Sequence, residues 1–272
     1  MKRIVSFILL LTLFVALTAC TGAQVEETAA AEPVELIVFA AASMQETMTE
    51  IAERYKAVAP NVTITYTFDS SGTLKTQIEE GADCDLFISA AQKQMNQLDS
   101  MADPKANDKW LDFVLQGTRV NLVENKVVMA VPEGNPAGVN SFDDVNTDKV
   151  KLIALGNSDV PVGQYSEEVF TNMGVWDALQ GKITFGSNVK EVTTWVSEGT
   201  VDCGVVYGTD AYSAGLEVVA TAPAEMLKSK VIYPAAVLNI TKHENEAKAF
   251  LEYLQTAECS AIFEKVGFAT PG

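Results

Sequence analysis

The sequence predicts an α/β fold in two lobes, each a mixed, mostly parallel sheet flanked by helices, with a ligand cleft between them. Three observations carry that expectation. Short apolar runs rich in β-branched residues alternate with segments whose apolar residues recur every three or four positions, the order that builds parallel sheets from βαβ units. The alternation comes in two series, one starting at Val34 and a second near Lys126. A chain of 272 residues has room for two such units.

The first series opens with VELIVFA (34–40), a continuous apolar run that reads as a buried strand. After Ser43 the positions Met44, Met48, Ile51, Tyr55 and Val58 step by four and three, which predicts a helix. VTITYTF (62–68) alternates strictly, a strand with one apolar face. DSSGT then turns into a short helix through Leu74 and Ile78 that stops at Gly81. CDLFIS (84–89) predicts a third strand and 91–101 another helix.

The second series runs KVVMAV (126–131), VKLIAL (150–155), a turn and helix from Pro161 to a glycine cap at Gly174, and the strand KITF. A helix follows, beginning NVKEV and burying Val192, Trp195 and Val196, then strands at 203–207 and 216–220. VIYPAAVL (231–238), a helix at 244–255 and a tail ending FEKVGF are left over. The simplest arrangement returns this tail to the first lobe, so the chain crosses twice, near 124–131 and 231–238. The expected division is lobe 1 from 34–123 plus 236–272, and lobe 2 from 124–235.

The amino terminus is a separate object. Lys2 and Arg3 precede an apolar stretch, Ile4 to Leu17, too short for a comfortable membrane span. It ends in Leu-Thr-Ala-Cys20, which looks like a lipobox, the bacterial signal in which the cysteine is lipidated after cleavage. Residues 1–20 are thus expected to be a lipoprotein signal peptide, with Cys20 the membrane anchor. Residues 21–33, small, polar and acidic, read as a flexible tether. The protein is expected outside the cytoplasm, at the cell surface or in the periplasm.

A formal net charge of −17 argues against nucleic acid and anionic membrane surfaces as partners. Cys84, Cys203 and Cys259 remain after Cys20; an odd number without a CxxC spacing is no disulfide framework and suggests no zinc site. They are expected as buried small residues. Nothing assembles a nucleophile with its base. His243, the one histidine, sits in the charged stretch TKHENE. There is no G-x-S-x-G elbow, Walker loop or G-x-G-x-x-G. An enzyme is not expected, nor a cofactor or a bare metal cation.

What recurs instead is the helix amino terminus. Ser43-Met-Gln-Glu46 fits a capping box, and Asn188-Val-Lys-Glu191 follows the same logic. Ser71-Gly72 and Val162-Gly163 also open helices. Each can be plain capping. In open α/β sheets, however, these ends face the crevice where ligands bind, and their unpaired N–H groups and dipoles favour anions. Small neighbours, Ala40 to Ala42 and Gly72, let a ligand approach the backbone. Such a pocket holds an oxyanion without lysine or arginine.

VFAAASMQETMTEIAERY, FDSSGTLKTQIEEGADCDLFISA, VPVGQYSEEV and GVVYGTDA, in that order, closely resemble the periplasmic-type molybdate-binding proteins of ABC transporters, from about residue 34 to the end. The resemblance implies the two-lobed periplasmic binding protein-like (type II) fold, with molybdate or tungstate held in the cleft by hydroxyls and backbone N–H groups. Carried over by position, it implies Ser43, Ser71, the backbone of Val162, where family members often have alanine, the backbone of Val189, and Tyr207. It further implies delivery to an ABC permease by a monomer. Two alternatives stay open: the same fold binding sulfate, phosphate or a small organic anion, and a surface lipoprotein or adhesin outside transport.

Overall fold

The structure, a computed structural model, describes residues 32–271. The signal peptide, Cys20 and nearly all of the tether lie outside the described residues.

Strand β1 (Val34–Ala41) pairs in parallel with β2 (Val62–Asp69) and β3 (Leu86–Ile88). Strand β10 (Val231–Val237) runs antiparallel between β3 and β4 (Val120–Asn125), giving the order β2-β1-β3-β10-β4. A second sheet repeats the plan. Strand β6 (Ile153–Gly156) lies parallel to β7 (Ile183–Gly186) and β8 (Cys203–Tyr207), and β5 (Val127–Val131) runs antiparallel between β8 and β9 (Glu217–Thr221). Its order is β7-β6-β8-β5-β9. Each sheet thus has three parallel strands in 2-1-3 sequence followed by an antiparallel one. In such a sheet the crevice for ligands lies beyond the carboxyl ends of the parallel strands.

The two-residue period of β1 divides its side chains between two helix layers. Leu36, Val38 and Ala40 join a core with Met44 and with Met48, Ile51 and Tyr55 of α1 (Gln45–Val58) and Phe250, Leu251 and Leu254 of α8 (Glu244–Leu254). Phe39, on the other face, packs with Phe87, with Leu74 and Ile78 of α2 (Ser71–Glu79) and with Met95 and Leu98 of α3 (Gln92–Leu98). Beside the second sheet, α4 (Pro161–Asn172) buries Val162, Val169 and Phe170, and α6 (Val189–Ser197) buries Val189, Val192 and Val196. The helices α5 (Trp176–Leu179), α7 (Gly208–Ala214) and α9 (Ala257–Lys265) complete the α-helices of the described residues.

Between the sheets the chain passes at Lys126, which joins β4 to β5, and through 222–230, which joins β9 to β10. Val231–Ala235, expected with lobe 2, instead pair in the first sheet with β3 and β4, and Glu124 and Asn125, also expected with lobe 2, belong to β4 and pair with β10. The reason is that VIYPAAV is one uninterrupted apolar strand, buried along its whole length, and pairs as a unit. The cysteines Cys84, Cys203 and Cys259 are free and buried. Burial pushes the Cys84 and Cys203 thiols up to about 12.

Candidate functional site

The site forms where the parallel strands of both sheets end. Strand β1 leaves the first sheet through Ala40 and Ala41 into a 3-10 turn, Ala42–Met44, whose small leading residues keep the backbone open to the crevice. Ser43 is 5% exposed, and its Oγ lies 2.9 Å from Oη of Tyr233 on β10. It does not close the expected capping box. The 3-10 turn sets it one residue ahead of Met44, the position preceding α1, and no side chain caps that helix. The hydroxyl is left to Tyr233 and the crevice.

Strand β2 delivers Ser70 and Ser71. Ser70 is the cap of α2, its Oγ accepting from the Thr73 N–H at 3.1 Å. Ser71, the first helical residue, is fully buried and its Oγ accepts from the Ala90 N–H at 2.9 Å, just beyond the end of β3. In the second sheet β7 leads to Asn188, whose side chain caps α6 by accepting from the Glu191 N–H at 3.1 Å, so Val189 is the first residue of that helix. Strand β6 leads through a tight turn to α4. Gly163 makes the fit: a Cβ there would stand 2.2 Å from the Gly156 carbonyl oxygen. Tyr207 ends β8, and its Oη donates to the Ala90 carbonyl at 3.4 Å, reaching from the second sheet to the first.

Ser43, Ser71, Val189 and Tyr207 line one cavity of about 10 Å³, together with Ala41, Ala42, Ala90 and Asp69. The fifth expected residue, Val162, lies one position beyond the lining residues. Its neighbours Val160 and Pro161 line the cavity, while Val162 is fully buried as the second residue of α4. That volume suits about one water molecule. Asp69 contributes a carboxylate at the rim, with Oδ1 accepting from the Ser70 N–H at 2.7 Å and from Asn188 Nδ2 at 3.4 Å.

Lys190 of α6 reaches both carboxylate oxygens of Glu46 on α1 at 2.8 Å and stands 3.2 Å from Oδ1 of Asp210 on α7. Asp210 is 1% exposed, and Lys190 is the counter-charge beside its carboxylate. Burial raises its carboxyl to about 6, against the opposing pull of Lys190. Burial works against the Lys190 charge as well, but Asp210 and Glu46 outweigh it and hold the ammonium above its ordinary value. Among the described residues no group of His, Cys, Asp and Glu side chains could hold a metal ion.

Sequence reasoning missed Tyr233, Asn125, Asp210 and the Gly72–Asp159 contact. Tyr233 lies inside an apolar run that reads as core, and its partner Ser43 is 190 positions away. No local pattern reports such a pairing.

Two sheets whose strand ends meet at a small cavity of hydroxyls and helix starts define a two-lobed solute-binding protein. The chain belongs to the bacterial extracellular solute-binding protein family, which it matches over residues 36–269. It works by binding, not catalysis. It is 37% identical over 98% of both chains to the putative ABC transporter substrate-binding lipoprotein YvgL of Bacillus subtilis. It is 36% identical to the molybdate-binding protein ModA of Escherichia coli, over 92% of this chain and 95% of that one. Among solved structures it resembles the substrate-binding domain of a putative molybdenum ABC transporter from Clostridium difficile, with a TM-score of 0.65 and 38% identity, over 88% of this chain and all of the other.

Proposed function

We propose that this protein captures molybdate or tungstate in the cleft and delivers it to an ABC permease, acting as a monomer held at the outer face of the membrane by a lipid on Cys20. The convergence of hydroxyls and helix amino termini from both sheets on one cavity carries the reading. Ser43 and Ser71 supply O–H donors, as does Tyr207 on giving up its long bond to the Ala90 carbonyl, and the first turns of α2, α4 and α6, the last two through Val162 and Val189, supply N–H donors. A buried dianion needs a donor for every oxygen, because an unpaired buried charge costs several kcal/mol or more. Helix dipoles favour negative charge without bringing in a cation, which suits an acidic protein. Relatives whose names are molybdate-binding protein support the choice of anion. A cavity near the size of one water must widen to admit a tetrahedral anion, so binding couples to parting and closing of the lobes.

One observation favours a second reading, an oxyanion that keeps a proton, such as hydrogen phosphate. Asp69 borders the cavity, and a carboxylate there can accept a proton-bearing oxygen. Thermal melts in molybdate, tungstate, sulfate and phosphate at matched ionic strength separate the two. A ligand at a hundred times its Kd adds about 2.7 kcal/mol, roughly 5–10 °C for a chain this size. Molybdate and tungstate are expected to raise the Tm and sulfate to leave it unchanged. A rise with phosphate alone would favour the second reading, and no rise with any oxyanion would contradict both.

A further inference from the structure

We infer that Tyr233 and Asn125 form a one-way hydrogen-bond relay that fixes the direction of the Ser43 hydroxyl, so that its proton points into the cleft. The inference rests on the oxyanion reading of the site and assigns Tyr233 a positioning role.

The geometry is a chain of four side chains. Ser43 Oγ lies 2.9 Å from Tyr233 Oη, either atom being able to donate. Asn125 Nδ2 donates to the same Oη at 3.1 Å and to Thr209 Oγ1 at 2.9 Å. Ser43, Asn125, Thr209 and Tyr233 are all at most 5% exposed, so water does not compete for these bonds. The four come from separate parts of the fold: the 3-10 turn after β1, the end of β4, the first turn of α7, and β10. The register of β10 against β4 shifts between Tyr233 and Pro234, and an irregularity of this kind re-aims a side chain next to a site.

Direction follows from what each group can do. The backbone N–H of Lys126 can only donate, and it donates to Asn125 Oδ1 at 2.8 Å. That bond settles which end of the amide is which, and it turns Nδ2 toward Tyr233 and Thr209. An amide nitrogen has no lone pair to offer, so Tyr233 Oη must be the acceptor from Asn125. Its one proton is then free for Ser43. Burial holds the phenol well above its ordinary titration range, so that proton stays in place. Ser43 Oγ, accepting from Tyr233, has its own proton left, and the cavity is the face open to it. The reverse arrangement would present an oxygen lone pair to the anion and repel it.

The test is a double-mutant cycle on molybdate affinity by calorimetric titration of the full chain, using Tyr233→Phe and Ser43→Ala singly and together. Tyr233→Phe keeps the ring and its edge-on packing against Tyr207, at 5.6 Å between centroids. The relay predicts that Tyr233→Phe weakens molybdate binding about tenfold in the wild type, a loss of one charge-assisted hydrogen bond. In the Ser43→Ala background it changes nothing, because there is no hydroxyl left to orient. A purely structural role would weaken both backgrounds alike, and that result overturns the relay, as does a Tyr233→Phe variant that binds as tightly as wild type. Where Ser43→Ala binds too weakly to titrate, the same cycle is read from the Tm shift in millimolar molybdate. A wild-type protein that takes up no oxyanion overturns the oxyanion reading itself, and is thereby distinct from failure of the relay alone.

Discussion

The backbone N–H of Gly72 donates to the carbonyl oxygen of Asp159 at 3.0 Å, joining the first turn of α2 to the loop before α4 across the cleft. This amide is one of the unpaired donors of a helix start, and here the opposite lobe satisfies it. The approach requires glycine: a Cβ at position 72 would stand 2.3 Å from the Asp159 oxygen.

Gly72→Ala is therefore expected to obstruct closure and not folding. Alanine is about 1 kcal/mol better than glycine inside a helix, so the Tm without ligand should hold or rise slightly. Affinity for the oxyanion should fall about tenfold or more, the effect of 1.4 kcal/mol or more lost from the closed state. Titration calorimetry beside a ligand-free melt checks both halves; undiminished affinity would mean the two segments need not meet.

Ser43→Ala and Ser71→Ala should each weaken binding by about 10- to 100-fold, the range for hydrogen bonds to a charged group. Both also cost stability. Ser71→Ala strips the buried Ala90 N–H of its acceptor, and Ser43→Ala does the same to the buried Tyr233 hydroxyl proton, each a cost of about 1–3 kcal/mol. Urea denaturation of the two variants without ligand makes the comparison.

Lys190 pairs with Glu46 across the lobes and with buried Asp210 inside its own. Replacing Lys190 by methionine leaves Asp210 buried without a counter-charge. The expected loss is about 3 kcal/mol at pH 8 and less at pH 5, where Asp210 can be neutral. Glu46→Gln breaks a half-exposed pair and should cost no more than about 1 kcal/mol. Denaturation midpoints at the two pH values measure each.

Asp210 also sets a pH dependence of its own. Its carboxyl is raised from 3.8 to about 6 in the folded protein, so the folded state binds this proton more tightly than the unfolded one. Its contribution to stability is fully present below about pH 4, declines as pH rises through 6, and is constant above. The span is on the order of 3 kcal/mol, at about 1.4 kcal/mol per unit. Glu79, Asp99 and Asp144 are shifted downward and act in the opposite sense, at lower pH. Asp210→Asn should thus remove the fall in stability between pH 4.5 and 7, read from urea midpoints across that range.

The parallel strands were legible because burial writes them locally: the run at 34–40 and the strict alternation at 62–68 appear as β1 and β2. Strand β4 was not, since VNLVEN keeps no period and lies at a sheet edge, where its outer flank meets the distant tail residue Ala269. Helix α7 follows Tyr207 directly and is only seven residues long, too short to show a period. Of the expected site residues, the helix starts were readable as such, because caps are local in sequence. Their roles were less so: Ser43 reads as a cap but bonds Tyr233, and Val162 falls one position beyond the residues that face the cavity. Those outcomes depend on which strands lie side by side, and spacing along the chain does not contain that.

Crystals grown with molybdate, with diffraction recorded at the molybdenum absorption edge, would locate the oxyanion proposed to sit between Ser43 and Ser71 at the strand ends. One strong anomalous peak is expected in that cavity, with oxygens in hydrogen-bonding reach of both serine hydroxyls. A peak elsewhere, or none in a cleft closed over other density, would contradict the proposal.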